Sequence, residues 1–135
     1  MKKILIINSN YYKDISNNLV LNAKNRLLDV KFKLSIINIP GAFEIPITIR
    51  KNINKFDGFI ALGCVIKGQT PHFELLCSSL FNSILSLSIK YNKPIGNGVI
   101  TALNLNQAKQ RSKKTKSNKP NKGSEAANAV ISILN

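Results

Sequence analysis

Tryptophan is missing, histidine and methionine occur once each, and there are only two cysteines. A single histidine, His72, rules out a multi-histidine metal site and a Ser/Cys-His-Asp set is not evident around it. Cys64 and Cys77 give neither zinc-ligand spacing nor a disulfide framework, and both sit in apolar runs where a thiol behaves as a small buried residue. No segment reaches the ~20 consecutive apolar residues that a membrane-spanning helix needs. Met1-Lys-Lys followed by Ile4–Ile7 is too short a run for a secretory leader, and Asn8 ends it without a small-residue cleavage site. These absences predict a soluble cytoplasmic protein. Acidic residues are also scarce, six against 20 basic ones, for a net charge of +14. Such a balance invites a nucleic-acid reading. Yet all but Arg26, Arg50 and Arg111 of the basic residues are lysine, and Asn and Ile are abundant too. A/T-rich codons encode all three, so mutational bias is enough to produce this charge without selection for a polyanion. The lysines are scattered except between Lys109 and Lys122, and a polyanion binder more often carries Arg with interleaved aromatics.

What is present suits a single domain spanning residues 1–135. An apolar content of 44% argues against disorder. Short apolar runs alternate with helical periodicity. Strands are predicted at Lys2–Ile7, Lys31–Ile39, Phe59–Ile66 and Ile95–Thr101. Helices are predicted from an Asp14 or Ser16 cap to about Val30, over Ile47–Asn54, from Thr70 and Pro71 to about Tyr91, over Leu105–Arg111, and over Gly123–Leu134. This β-α-β-α alternation predicts an α/β fold, with a four-stranded parallel sheet covered by helices on both faces. Ligands of such sheets bind beyond the C-terminal strand ends, where the Tyr11, Pro40–Glu44 and His72 turns and the strand after Pro94 should deliver residues. The helix after His72 has no charge from Leu75 to Ile89 and is apolar over most of its circumference. Such a helix is buried nearly all round, and in a domain this small a second subunit is the expected cover.

Three stretches carry candidate chemistry. In Gly63-Cys-Val-Ile-Lys-Gly-Gln-Thr-Pro-His72-Phe-Glu74, a strand passes through a turn into a helix. Backbone N–H groups at such a turn, with the helix dipole, suit an anion. His72 beside it titrates near neutrality and can exchange a proton there, or it is simply a solvated helix start. In Pro40-Gly-Ala-Phe-Glu-Ile-Pro46, Gly41 and Ala42 allow close approach of a ligand. Glu44 there can accept hydrogen bonds from ligand hydroxyls, or serve the following helix as a first-turn carboxylate. Tyr11 can stack on a flat heterocycle or be an ordinary surface tyrosine. Arg111 hints at bidentate oxyanion recognition, a hint that Arg26 and Arg50 dilute.

Together with Pro94-Ile-Gly-Asn-Gly-Val-Ile-Thr101, Gln107-Ala108 through Arg111, and Asn121-Lys-Gly-Ser-Glu-Ala-Ala127, these stretches resemble the 6,7-dimethyl-8-ribityllumazine synthases, in the right order along nearly the whole chain. The resemblance implies a flavodoxin-like three-layer α/β/α sandwich, assembled as pentamers with active sites between adjacent subunits. It implies condensation of 5-amino-6-(ribitylamino)uracil with 3,4-dihydroxy-2-butanone 4-phosphate, the penultimate step of riboflavin synthesis, with no cofactor. Association with riboflavin synthase belongs to the same expectation. By position, Tyr11 matches the aromatic that stacks on the pyrimidine. Ala42, Phe43 and Glu44 match the ribityl-contacting turn, and Cys64, Val65 and Ile66 the strand end along the pyrimidine. Gln69 and Thr70 match the phosphate turn, Arg111 the phosphate-binding arginine, and His72 the proton-transfer histidine. Asn97 stands where many members carry Phe and contribute a backbone contact from the next subunit.

Several features depart from that pattern. The chain opens on its first strand, without the extension that many members add to a neighbour's sheet, and the basic stretch Ser112–Lys122 is long. Both favour a free pentamer over a closed shell. Asn97 offers less stacking surface than an aromatic, which predicts weaker pyrimidine affinity. Asn10 and Lys67 are untypical neighbours of site residues. Outside enzymology, a catalytically silent scaffold of the same fold and a nucleic-acid-associated basic protein are the competing readings. The intact set of His72, Arg111 and Glu44 argues against the scaffold.

Overall fold

A computed structural model describes residues 1–69, 71–113 and 121–135. Four strands, β1 (Lys2–Ser9), β2 (Phe32–Ile39), β3 (Gly58–Ile66) and β4 (Ile95–Ala102), form one parallel sheet in the order β2-β1-β3-β4. The helices are α1 (Lys13–Leu27), α2 (Ile45–Lys51), α3 (Phe73–Tyr91), α4 (Leu105–Ser112) and α5 (Lys122–Leu134), with a 3-10 turn at Ala42–Glu44. The α/β sandwich expected from the alternation of elements is the one observed.

Strand β3 is buried at every position, as a central parallel strand covered on both faces must be. Alternate residues of the sheet feed two cores. Ile4, Ile6, Ile60, Leu62 and Ile100 pack with α1, α4 and α5, whereas Leu5, Ile7, Phe59, Ala61 and Val99 pack with α2 and α3. Burying a side chain of this size contributes about 1.5–3 kcal/mol, so the sheet interior dominates stability. The Gly96-Asn97-Gly98 sequence has a steric cause. A Cβ on Gly96 would lie 2.1 Å from the Ala126 carbonyl oxygen of α5, and one on Gly98 would lie 2.6 Å from the Leu62 side chain. Gly123 likewise meets the Leu19 carbonyl of α1, 2.2 Å from where its Cβ would stand. Small residues thus let α5 lie with its backbone against β4 and α1. A reciprocal capping box between Asn121 and Ser124 starts that helix.

Three expected helix starts are corrected. Helix α1 begins at Lys13 after Tyr12, with no side-chain cap, and the Ser16 hydroxyl instead donates to the Lys13 carbonyl oxygen. Helix α2 begins at Ile45, earlier than expected, because the 3-10 turn leads straight into it and places Pro46 in its first turn, where a missing N–H costs nothing. Helix α3 begins at Phe73, so Pro71 precedes the helix and His72 is its N-cap residue. Thr70, the expected cap, lies outside the described residues, as does most of the basic stretch (114–120). Among the described residues, no helix is long and apolar enough to cross a membrane.

Candidate active site

The chain runs from β1 outward to β2 and returns on the other side to β3. A crevice therefore opens where the C-terminal ends of β1 and β3 diverge, the usual ligand position in an open parallel sheet. The turn after β1 brings Tyr11 and Tyr12, the turn after β2 brings Gly41, Ala42 and Phe43, and β3 with its following turn brings Cys64, Val65, Ile66 and Gln69. Together with Ser9 they line a cavity of about 170 Å³. The expected Tyr11, Ala42, Phe43, Cys64, Val65, Ile66 and Gln69 thus converge. Gly41, read from the sequence as allowing close approach of a ligand, is there too, whereas Ser9 and Tyr12 had been given no role in that lining.

Tyr11 is 74% exposed, so its ring is free for a flat partner. Phe43 is also exposed. Glu44 turns its carboxylate back over Gly41, where Oε2 lies 2.6 Å from the place a Gly41 side chain would begin. Only glycine leaves room there for the acid to fold over the rim of the crevice. The Glu44 side chain makes no capping bond to α2, so the helix does not hold it.

The turn after β3 is shaped by left-handed backbone. Gly68 has φ +88°, a value glycine adopts freely. His72 has φ 56° and ψ 43°. For a non-glycine residue this costs about 1–2 kcal/mol, and such outliers concentrate at functional sites. The imidazole is exposed, one turn of chain past Gln69. Lys67 and Glu74 bracket the turn with an exposed ion pair of 3.1 Å. A backbone hydrogen bond at Glu74, and then Lys67, hold the Glu74 carboxyl below its usual titration range. Burial pushes the Cys64 thiol up to about 11. At neutral pH it is therefore an uncharged wall of the cavity and not a nucleophile.

Asn97 and Arg111 are not in this crevice. They line a second cavity of about 300 Å³ at the free edge of β4, with Phe81, Val99, Thr101 and Lys122. Asn97 lies early in its strand, paired with Ala61, so it reaches the side of the sheet. Its Oδ1 accepts from the Val99 N–H at 3.0 Å, and Arg111 Nη1 donates to the Thr101 carbonyl oxygen at 2.6 Å. Side chains thus satisfy backbone groups that an edge strand leaves unpaired. Arginine has five N–H donors, so most of its donor set stays available to an anion.

The other arginines join structural elements: Arg26 donates to Asn128 between α1 and α5, and the Arg50 guanidinium lies 5.0 Å from the Tyr91 ring centre between α2 and α3. The first crevice is below the ~300–1,000 Å³ usual for small-molecule sites. Within one chain, then, Tyr11, Ala42, Phe43, Cys64, Val65, Ile66 and Gln69 line one partial cleft and Asn97 and Arg111 another, while Glu44 and His72 are in neither lining.

Comparison with known proteins agrees with the resemblance drawn from the motifs. The family model for 6,7-dimethyl-8-ribityllumazine synthase matches residues 1–135. A protein of that name from Campylobacter curvus is 38% identical, covering 99% of this chain and 87% of its own length. The namesake from Bartonella tribocorum is 35% identical over 96% of this chain and 88% of its own. That from Methylorubrum populi is 32% identical, over 97% and 82%. A match along the full chain, on a parallel sheet whose switch-point crevice gathers the motif residues, means that the chain belongs to the 6,7-dimethyl-8-ribityllumazine synthase family.

Proposed function

We propose that this protein condenses 5-amino-6-(ribitylamino)uracil with 3,4-dihydroxy-2-butanone 4-phosphate, giving 6,7-dimethyl-8-ribityllumazine, phosphate and water. The observation that carries the reading is the convergence of three sheet-end turns on one crevice, in a chain of this family. In this reading Tyr11 stacks on the pyrimidine along Cys64, Val65 and Ile66. Ala42, Phe43 and Glu44 hold the ribityl chain, with the Glu44 carboxylate accepting from its hydroxyls. Gln69, Thr70 and a neighbour's Arg111 bind the phosphate.

A neutral amine attacks a ketone and an anionic phosphate leaves, so the chemistry needs proton shuttling and aligned partners more than a strong nucleophile. His72 moves the protons. Alignment of two bound reactants supplies several kcal/mol of the barrier reduction. The neighbour's second cleft, with Asn97 and Arg111, closes on the first crevice. That arrangement makes the working unit a homo-oligomer, in our reading a free pentamer of one-domain subunits in the cytoplasm. It works without a cofactor and passes its product to an associated riboflavin synthase.

The test is product formation. Purified protein with both substrates should accelerate appearance of the lumazine chromophore well above the uncatalysed condensation. Background rates from a folded protein would favour the silent scaffold. Nucleic-acid binding that weakens steeply with salt and persists at ~0.15 M would instead favour the third reading.

A further inference from the structure

Tyr12 stands where the subsites proposed for the two substrates meet. Its ring packs against the core beneath α1 and meets Tyr11 edge-on, with centres 4.9 Å apart and planes at 80°. Its hydroxyl donates to Oε1 of Gln69, which lies 57 positions further along the chain in the turn after β3. Both side chains line the crevice. A primary amide offers an acceptor oxygen and two N–H donors, whereas a phosphate at neutral pH chiefly accepts. Left free, Gln69 would present either end.

We infer that Tyr12 is a positioning residue for the phosphate-bearing substrate: it holds Gln69 by the carbonyl oxygen and so leaves the amide N–H groups for the phosphate. The inference rests on the reading of the crevice proposed above. Tyr12 touches no reacting atom. Its two parts serve different subsites, the hydroxyl through Gln69 and the ring through Tyr11. Burial, then Cys64 and Tyr11, raise the Tyr12 titration above its usual range, so the phenol stays a donor at neutral pH.

Steady-state kinetics with both substrates, on the intact assembly, tests this. Tyr12→Phe keeps the ring and removes the donor. It should raise KM for the butanone phosphate about fivefold, the weight of one neutral hydrogen bond, and leave KM for the pyrimidine within about twofold. Gln69→Ala should raise the same KM by at least as much, and the double variant no more than Gln69→Ala alone, since Tyr12 acts through Gln69. Tyr12→Leu should raise both KM values. Inhibition by inorganic phosphate should weaken in Tyr12→Phe by the same factor as KM.

An unchanged KM for the butanone phosphate in Tyr12→Phe, an equal rise in both KM values, or additive effects in the double variant would each overturn the inference. If Tyr12→Phe melts below assay temperature, Gln69→Glu carries the test. That change keeps an acceptor for the Tyr12 hydroxyl but replaces the N–H donors with an anionic oxygen, so it must raise this KM more than Gln69→Ala does. A smaller or equal rise overturns the latch. Absence of turnover in the unmodified protein would overturn the underlying reading and the latch with it.

Discussion

The crevice at the ends of β1 and β3 and the cleft at the edge of β4 are built from different material. The first is framed by three turns and floored by the fully buried strand β3, and its polar groups are tied to one another, as Tyr12 is to Gln69. The second sits on an edge strand, and Asn97 and Arg111 there are tied to backbone groups that a neighbouring strand would otherwise take. One cleft is organised by the fold of a single chain, the other by the absence of a neighbour. Helix α3 belongs to the same contrast. It starts beside the first crevice and supplies Phe81 to the second. Among its 19 residues only Cys77, Leu80 and Ile84 are buried, whereas Leu75, Leu85 and Ile89 lie open. On the opposite face of β4, α5 buries Gly123, Ala126, Ala127, Val130 and Ile131 in 13 residues. The face with α5 is complete within the chain, and the face with α3 is not.

The largest effect should come from making α3 unfit for a neighbour. Leu85→Glu with Ile89→Glu ought to yield a monomer with unchanged helical circular dichroism and product formation at background. Sedimentation and the chromophore assay read this together. An active monomer would break the comparison, because it would place both clefts of a site in one chain. Next comes mixing. His72→Ala and Arg111→Ala should each lose about a hundredfold in turnover, the scale of one general acid–base or anion-stabilising group. Co-refolded in equal amounts they should regain about a quarter of wild-type activity, since random neighbours bring an intact His72 side to an intact Arg111 side at that frequency. No recovery would mean that both residues act within one subunit.

A smaller change sharpens the edge of β4. Asn97→Phe should tighten pyrimidine binding about threefold through added stacking, measured by equilibrium titration. It should also free the Val99 N–H that Asn97 now accepts from. The smallest effect belongs to the exposed Lys67–Glu74 pair. Glu74 titrates below its ordinary range, so its contribution is present above the unfolded carboxylate value and fades as pH falls through the folded one. Surface pairs of this kind matter little. Glu74→Gln should leave the melting temperature at pH 7 within scatter, and a clear drop there would give the turn a stiffness not credited to it.

The sheet was legible because its strands are short apolar runs of the right length, and β3 most of all. The first crevice was legible through its motifs, since Tyr11, Gly41–Phe43 and Cys64–Ile66 all lie within a few residues of a strand end. What was not legible required distance or context. The left-handed backbone at His72 is a property of the folded chain that the residue type alone does not announce. The bond from Tyr12 to Gln69 joins turns that only the folded sheet brings together. The helix expected from Ile47 was found, but the Pro40–Glu44 turn conceals the 3-10 turn that starts it early, at Ile45.

The contact of α5 with β4 and α1 also bears on how this sequence can change. Its composition is rich in lysine, isoleucine and asparagine. At Gly96 and Gly123 even a methyl group would run into a backbone carbonyl, which cannot swing aside as a side chain can. Those codons are fixed points under compositional drift, whereas an exposed position such as Lys109 or Asn25 accepts whatever drift supplies. A chain can therefore become this basic and still close the same fold, provided the change stops wherever one backbone rests directly on another.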